Sequence, residues 1–440
     1  MDTFRLLNQI SIVKDEIYGG GVYLYNWYND IGVNIECENI HSIDKRKITF
    51  TDKFKQEYID FLKTNYFINE TDFPKEFYLQ EYNKQLQKEQ DELHLILLPA
   101  GYACNFDCVY CYENHNDRSR FKGKHSDIIY DLIKQKNPKK LHIEYFGGEP
   151  LLGLSWILDF EERIKDIEHT SSMTTNGYLL NKENFRALLD KNIRTFQITL
   201  DGIAKTHDKL RIKYGGGKTY DTILNNLKDI QTLKDDFKII IRCNFNESNA
   251  TPDYRKDYFT NIAFTKKDYR FNLIFRPIGL YSQSNNTTTQ RHIDACYSSA
   301  DNIKHIWEEE AQNQDYLLGD IGLYTLAGGA ICYASKESCY TITPNFEVLK
   351  CTIAVDQDIN KFGDIKDELK LNHQKLKNWE KYSKFDESCL KCFYFFQCMN
   401  RSCPLHNLEN KRKICPIKHS DEKYMVKMIK RQKNILERLI

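Results

Sequence analysis

Between residues 93 and 279, short apolar runs alternate with stretches of helical period. The runs are "LHLILLPA" (93–100), "LHIEYFGG" (141–148), "SSMTTNG" (171–177), "TFQITLDG" (195–202), "FKIIIRCNFN" (237–246) and "YRFNLIFRPIG" (269–279). Between them, "HSDIIYDLIKQK" (125–136), "NKENFRALLDKN" (181–192) and "YDTILNNLKDIQTL" (220–233) space apolar residues three and four apart, as amphipathic helices do. Strand–helix alternation predicts parallel strands joined by crossover helices. Six such units predict an α/β fold with a partial (β/α)6 barrel rather than the full eight-unit one. Four of the strands end in a polar or glycine-rich string: "GYACN", "GGEP", "TTNG" and "LDG". In parallel α/β folds chemistry gathers at the C-terminal strand ends, so these strings are expected around one site.

The flanks read differently. Residues 1–90 are expected to form a small separate α+β unit. "GVYLYNWYNDIGVNIEC" (21–37) alternates as a strand pair turning at "NWYND". "DKFKQEYIDFLKTNYF" (52–67) places Phe54, Tyr58, Phe61 and Leu62 at helical spacing, and the charged stretch 75–92 reads as a linker helix or loop. After residue 315 the periodicity fades and cysteine takes over. "ICYASKESCYTITPNFEVLKC" (331–351) and "CLKCFYFFQCMNRSC" (389–403) read as loops too ligand-dense for an ordinary core. "KYMVKMIKRQKNILERLI" (423–440) reads as a basic amphipathic helix with a solvated Lys/Arg face. The expected units are thus 1–90, 91–315, 316–422 and 423–440.

Composition narrows the classes. The chain of 440 residues is long enough for two or three domains. Lys and Arg number 63 against 62 Asp and Glu, which leaves no global field and argues against a nucleic-acid partner. No apolar run approaches a membrane span, and the N-terminus lacks a secretory core. A cytoplasmic protein with no membrane partner is expected. There thiols stay reduced, and fourteen cysteines at motif-like spacings read as metal ligands rather than disulfides. Three lie within 104–111 and eight between Cys332 and Cys415; Cys37, Cys243 and Cys296 are scattered and read as small semi-buried hydrophobes.

The stretch "AGYACNFDCVYCYE" (100–113) holds Cys104, Cys108 and Cys111. A tetrahedral zinc ion held by these three needs a distant fourth ligand. A four-iron cluster held by three cysteines instead keeps one iron open. This CxxxCxxC spacing, after the first predicted strand, resembles the signature of radical SAM enzymes. The resemblance implies a [4Fe–4S] cluster on Cys104, Cys108 and Cys111, with S-adenosylmethionine on the open iron. "GGEP" (147–150) resembles the family's motif at the next strand end. It implies close ligand approach at Gly147 and Gly148, a methionyl-ammonium contact at Glu149, and Pro150 in the first turn of a helix. "TTNG" (174–177) and "ITLDG" (198–202) resemble further family strings and bring Asn176 and Thr199 to the cofactor, Thr199 standing where serine is usual. "HDKLR" (207–211) puts Arg211 where related enzymes carry an arginine for the methionyl carboxylate, a task suited to a guanidinium fork. Tyr110 occupies the aromatic position expected near the adenine.

The C-terminal cysteines resemble a SPASM domain, an extension that binds two auxiliary [4Fe–4S] clusters. The resemblance assigns Cys332, Cys339, Cys351 and Cys403 to one, and Cys389, Cys392, Cys398 and Cys415 to the other. Three clusters would then accompany S-adenosylmethionine. Two departures bear on local geometry: four residues separate Cys398 from Cys403, and Phe346 stands where a hairpin glycine is usual. Two structural zinc sites remain the alternative.

SPASM-bearing radical SAM enzymes mostly modify peptides and proteins. One branch oxidises a cysteine or serine of sulfatases; the larger one crosslinks ribosomally made peptides through thioether or carbon–carbon bonds. Thr352 follows Cys351, where the sulfatase branch typically has aspartate, and residues 1–90 resemble the leader-capturing unit of peptide maturases. The expectation is a crosslinking maturase. Its precursor's leader would bind at the N-terminal unit or barrel mouth, and a flavodoxin or ferredoxin would supply electrons. A sulfatase-type maturase is the alternative. A zinc-stabilised peptide-binding protein without chemistry is the remote one.

Overall fold

The computed structural model describes residues 3–15, 21–113, 115, 117–280, 289–297, 302–355 and 357–439. They fall into two compact units. One comprises residues 1–88, 320–335 and 380–434; the other comprises 89–319, 336–379 and 435–440.

The larger unit is built on one sheet. Six parallel strands, Glu92–Leu97, Lys140–Tyr145, His169–Thr175, Ile193–Thr199, Lys238–Phe245 and Phe271–Pro277, lie side by side in chain order. Each pairs with its successor and no strand order reverses, which is the winding of a barrel rather than of a doubly wound sheet. Helices Gly123–Lys136, Leu154–Arg163, Lys182–Asp190, Tyr220–Gln231 and Pro252–Asn261 make the crossovers. The fold is therefore the α/β partial (β/α)6 barrel expected.

Register explains the strand chemistry. Leu95, Ile143, Met173, Phe196, Ile198, Ile241 and Leu273 occupy one face and are buried. The opposite face carries His94, His142, Glu144, Ser172, Thr174, Gln197 and Arg242. These polar groups satisfy one another: His142 contacts Thr170 Oγ1 at 2.8 Å and Ser172 Oγ at 3.0 Å, and His94 Nε2 lies 3.5 Å from Glu144 Oε2. The strands are thus half polar, and their apolar runs mark only the helix-facing side.

Beyond residue 315 the structure differs from the loop expectation. Cys339–Ile342 adds in parallel to the first barrel strand, and Glu347–Leu349, Lys361–Asp364 and Lys370–Leu371 extend the sheet as an antiparallel meander. These strands have two to four residues, too short for a period to show. The expected unit 316–422 is accordingly divided: residues 336–379 belong with the barrel and 380–434 with the N-terminal segment.

The smaller unit has a four-stranded antiparallel sheet, with strands Thr3–Leu6, Ile40–Asp44, Lys47–Phe50 and Ile68–Asn69. A three-stranded sheet consists of Ile10–Asp15, Gly21–Asn26 and Ile31–Ile35. The strand pair around "NWYND" is present. The helix Gln56–Thr64 turns a different face inward than its spacing suggests. Ile59 and Leu62 are buried, while Tyr58 and Phe61 remain 49% and 44% exposed. Lys75–Gln90 is a helix rather than a loop. Residues 1–88 are not a separate unit, because Tyr28, Phe73, Phe77 and Tyr78 pack with Phe395 and Phe396 in one aromatic core. The final helix, Glu422–Leu439, is held there by Lys433 donating to Asp30 Oδ1 at 2.7 Å. No described helix is long and apolar enough to cross a membrane.

Candidate active site

The first barrel strand runs into the cysteine loop. A short strand there, Phe106–Cys108, pairs antiparallel with Arg211–Lys213, setting Arg211 directly opposite Cys108. The "HDKLR" segment is therefore part of the loop's scaffold and not an exposed turn. Asp208 accepts from the amides of Thr219 and Tyr220 at 2.9 Å each, at the start of the helix Tyr220–Gln231. His207 is buried, and its Nδ1 accepts from the Asp201 amide at 3.0 Å.

The glycines of "GGEP" act through the same loop. A Cβ at Gly147 would lie 2.4 Å from Gly101 O, and one at Gly148 would lie 2.4 Å from Ala103 O. Gly148 N and Glu149 N donate to Gly101 O at 3.1 Å and Ala103 O at 2.9 Å. Both glycines line the cavity as expected, yet the close approach they permit is to the cysteine loop's backbone. Glu149 differs from expectation more clearly. Its carboxylate accepts from Leu151 N at 3.0 Å, Thr175 Oγ1 at 2.7 Å and Asn176 N at 2.8 Å, is fully buried, and does not line the cavity. It caps the 3-10 turn Pro150–Gly153 and ties the second strand end to the third. Burial pushes its pKa up, against these donors.

Cys104, Cys108, Cys111, Tyr110, Asn176, Thr199 and Arg211 all line one cavity at the C-terminal strand ends. Asn176 Nδ2 donates to Asn105 Oδ1 at 2.7 Å, which fixes the loop next to Cys104. The Tyr110 hydroxyl is the hub of a polar network rather than a bare aromatic surface: it donates to Asp201 and accepts from Arg211 Nη1 at 3.0 Å and Asn244 Nδ2 at 3.2 Å. Asp201 also accepts from Asn244 N at 2.7 Å.

Sequence reading missed five groups that belong to this site: Glu113, Gln197, Arg242 and Asn244 on the cavity wall, and Asp201 behind it. Asp201 sits inside the quoted "LDG". Gln197, Arg242 and Asn244 lie at the alternate, polar positions of their strands, a signal that was legible. Glu113 follows Cys111 by two residues, and burial pushes its carboxyl up to about 8.

The donor set fits the group that the cysteine spacing implies. Burial raises the pKa of Cys104, Cys108 and Cys111, so metal binding must displace protons, and the charge of the iron supplies the pull. Arg211 Nε is buried with no hydrogen-bond partner, an unspent donor on a wall that would receive a carboxylate. Among the described residues, no three His, Cys, Asp or Glu side chains are gathered about one point as a single bound ion would have them.

Residues 98–243 match the family model described as the Radical SAM superfamily. The chain carries a radical SAM domain. That family uses S-adenosylmethionine and a [4Fe–4S] cluster. A cysteine-type anaerobic sulfatase-maturating enzyme of Clostridium perfringens is 24% identical over 341 residues, covering 70% of this chain and 87% of that protein. Its counterpart from Clostridium novyi is 26% identical over 192 residues, so the chain spans 50% of that relative's length. The radical SAM cyclopropyl synthase TigE of Paramaledivibacter caminithermalis is 25% identical, over 52% of this chain and 53% of TigE. Among solved structures, native anSMEcpe with bound AdoMet superposes with a TM-score of 0.53 at 18% identity, covering 79% of this chain and 99% of that one. Streptococcus suis SuiB bound to S-adenosylmethionine gives 0.52 at 14% identity, covering 93% and 97%. At such identities the superpositions establish a shared fold.

The eight cysteines from Cys332 to Cys415 lie outside the residues that the family model matches. In the smaller unit, Cys392 and Cys398 are pushed up to about 11 and about 12 by burial, and each also feels Cys389 and Cys415. The four thiols thus lie within electrostatic reach of one another. Cys332 hydrogen-bonds Cys403 in the same unit and lowers its pKa. Cys339 and Cys351 are buried in the larger unit at either end of the strand pair Cys339–Ile342 and Glu347–Leu349. Of the scattered cysteines, Cys243 is buried and Cys296 half-buried, but Cys37 is exposed rather than semi-buried.

Proposed function

We propose that the chain is a radical SAM peptide maturase that forms a crosslink in a ribosomally made precursor. The observation that carries this reading is the convergence of Cys104, Cys108 and Cys111 with Asn176, Thr199 and Arg211 on one cavity wall. A [4Fe–4S] cluster with S-adenosylmethionine supplies a 5′-deoxyadenosyl radical, which takes hydrogen from unactivated carbon. The three cysteines would hold the cluster. Arg211, locked by Tyr110 and opposite Cys108, would pair with the methionyl carboxylate, while Asn176 and Thr199 would offer polar contacts from adjacent strand ends. Gly147 and Gly148 keep the cysteine loop close to the second strand end, and Glu149 holds that strand end to the third.

A peptide substrate is supported by the relatives. They include sulfatase-maturating enzymes, and anSMEcpe was solved with AdoMet and the Cp18Cys peptide. Thr352 favours the crosslinking branch over sulfatase maturation. The group of Cys389, Cys392, Cys398 and Cys415 supports an auxiliary cluster. On sequence resemblance alone, Cys332, Cys339, Cys351 and Cys403 are given to another. A flavodoxin or ferredoxin is the proposed electron donor.

The test is anaerobic co-expression with short cysteine- or aromatic-bearing reading frames beside the gene, followed by mass analysis of the peptide. Loss of two hydrogens, localised by fragmentation, is the expected result. An unchanged peptide, with formylglycine appearing instead in a sulfatase-derived peptide, would transfer the chain to the sulfatase branch, which the Clostridium relatives favour. A colourless, zinc-loaded protein would overturn both.

A further inference from the structure

The group of Cys389, Cys392, Cys398 and Cys415 has a charged neighbour that the reading above does not use. Lys413 stands on the loop leading to Cys415, and its ammonium has three acceptors. Nζ donates to Asp386 Oδ2 at 2.6 Å, to Ser388 Oγ at 2.8 Å and to Cys389 Sγ at 3.1 Å. Three protons meet three acceptors, so the charge is fixed on the sulfur and not free to swing away. Asp386 is held in turn: its Oδ1 accepts from Ser388 N at 2.8 Å, as the N-cap of the 3-10 turn Glu387–Cys389. The pair is only partly exposed, with side-chain exposures of 26% for Lys413 and 37% for Asp386, so solvent screens it incompletely. A second contact, His419 Nε2 to Cys392 Sγ, is longer at 3.8 Å.

An ordinary surface salt bridge has no reason to include a thiol. Hydrogen bonds and positive charge at a ligand sulfur withdraw electron density from an iron–sulfur cluster and stabilise its reduced, more negative state. We propose that Lys413 is a positioning residue that raises the reduction potential of the cluster on Cys389, Cys392, Cys398 and Cys415, with Asp386 as its anchor and partial counterweight. This rests on the reading that those four cysteines hold a cluster. A raised potential makes that cluster the acceptor for the electron left when a crosslink closes. The two residues act with opposite sign. Removing Lys413 takes away a cation and leaves Asp386 unopposed, which disfavours reduction. Removing the charge of Asp386 leaves the cation unopposed, which favours it.

The experiment is an anaerobic redox titration of the reconstituted full-length protein, followed by electron paramagnetic resonance. The signal absent from a Cys398→Ala/Cys415→Ala variant identifies this cluster. With iron content unchanged, Lys413→Met is expected to lower the reduced-to-oxidised ratio at a fixed potential about tenfold, or about 59 mV for a one-electron couple. Lys413→Arg should restore most of it, and Asp386→Asn should shift the ratio the other way. Loosening of the loop would not produce opposite signs. If Lys413→Met loads poorly, the signs for Lys413→Arg and Asp386→Asn decide. Equal potentials across fully loaded variants would overturn the role of Lys413 while leaving the cluster in place. Cys398→Ala/Cys415→Ala protein with full iron and an unchanged signal would overturn the cluster itself, and this inference with it.

Discussion

Arg211 is the residue on which most of the site's polar geometry turns. Tyr110 holds Nη1 at 3.0 Å, and Nε is left for a ligand. A charge-assisted hydrogen bond contributes about 1.5–3 kcal/mol. Arg211→Lys keeps the charge and loses the fork, so S-adenosylmethionine should bind the reconstituted protein roughly tenfold more weakly or worse. Equilibrium dialysis at unchanged iron content measures this, and equal affinity would remove Arg211 from the cofactor site. A different residue sets a pH dependence. His169 Nε2 lies 2.8 Å from Glu161 Oε2, and Glu161 Oε1 accepts from Tyr145 and Ser171 at 2.7 Å each. Burial opposes the imidazolium, but the Glu161 hydrogen bond, the Ile167 carbonyl and the Glu161 charge together outweigh it and the pKa of His169 is raised. A raised folded pKa stabilises the fold fully below the unfolded value of about 6.5, and this contribution is lost as pH climbs through the folded value. The stability gap between wild type and His169→Gln, measured by urea denaturation, should be widest near pH 6 and shrink toward pH 9. A gap independent of pH would mean that the ring is not charged in the folded state.

At the scale of elements, the hairpin between Cys339–Ile342 and Glu347–Leu349 shows how a departure from a family pattern is absorbed. Phe346 adopts the left-handed φ of +62° that glycine would take without strain, at a cost of about 1 kcal/mol. Its ring compensates by stacking on His125 at 4.2 Å, and His125 Nε2 is 3.0 Å from Pro344 O in the same turn. Phe346→Gly should relieve the strain and forfeit the half-buried stack, for a net destabilisation of about 1 kcal/mol. A higher denaturation midpoint in that variant would show that the strain dominates. This hairpin also marks where sequence legibility ends. The six barrel strands and three of their five crossover helices were readable, because each strand carries an apolar helix-facing row and four of them end in a polar or glycine-rich string. The short strands after residue 338 were not, since two to four residues carry no period and their pairing depends on the edge of the first barrel strand. The helix Gln56–Thr64 was readable as a helix but not in its orientation: Tyr58 and Phe61 share the spacing of a buried face yet remain exposed. In the site, the cysteines and Arg211 announced themselves by motif. Asp201 was silent, because its role is a bond to Tyr110, distant in sequence.

For the whole molecule, the division into two units predicts how metal content and chemistry separate. Cys104, Cys108 and Cys111 belong to the barrel unit, whereas Cys389, Cys392, Cys398 and Cys415 belong to the smaller one with residues 1–88. Each thiol group is built from backbone of its own unit: the first from the loop pairing of Phe106–Cys108 with Arg211–Lys213, the second from turns beside the aromatic core of Tyr78, Phe395 and Phe396. Removing one group leaves the scaffold of the other intact. On the proposed three-cluster reading, Cys104→Ala/Cys108→Ala/Cys111→Ala protein should therefore lose about a third of its iron and all reductive cleavage of S-adenosylmethionine, while Cys398→Ala/Cys415→Ala protein should lose a similar share and still cleave the cofactor. Iron assay and quantification of 5′-deoxyadenosine read the two outcomes separately. Cleavage that survives the first set of substitutions would displace the active site from this cavity. Cleavage abolished by the second, in protein that retains the first cluster's spectrum, would mean that electrons reach the barrel through the smaller unit. That would give the cluster beside Lys413 the role of electron donor to S-adenosylmethionine rather than acceptor from the substrate.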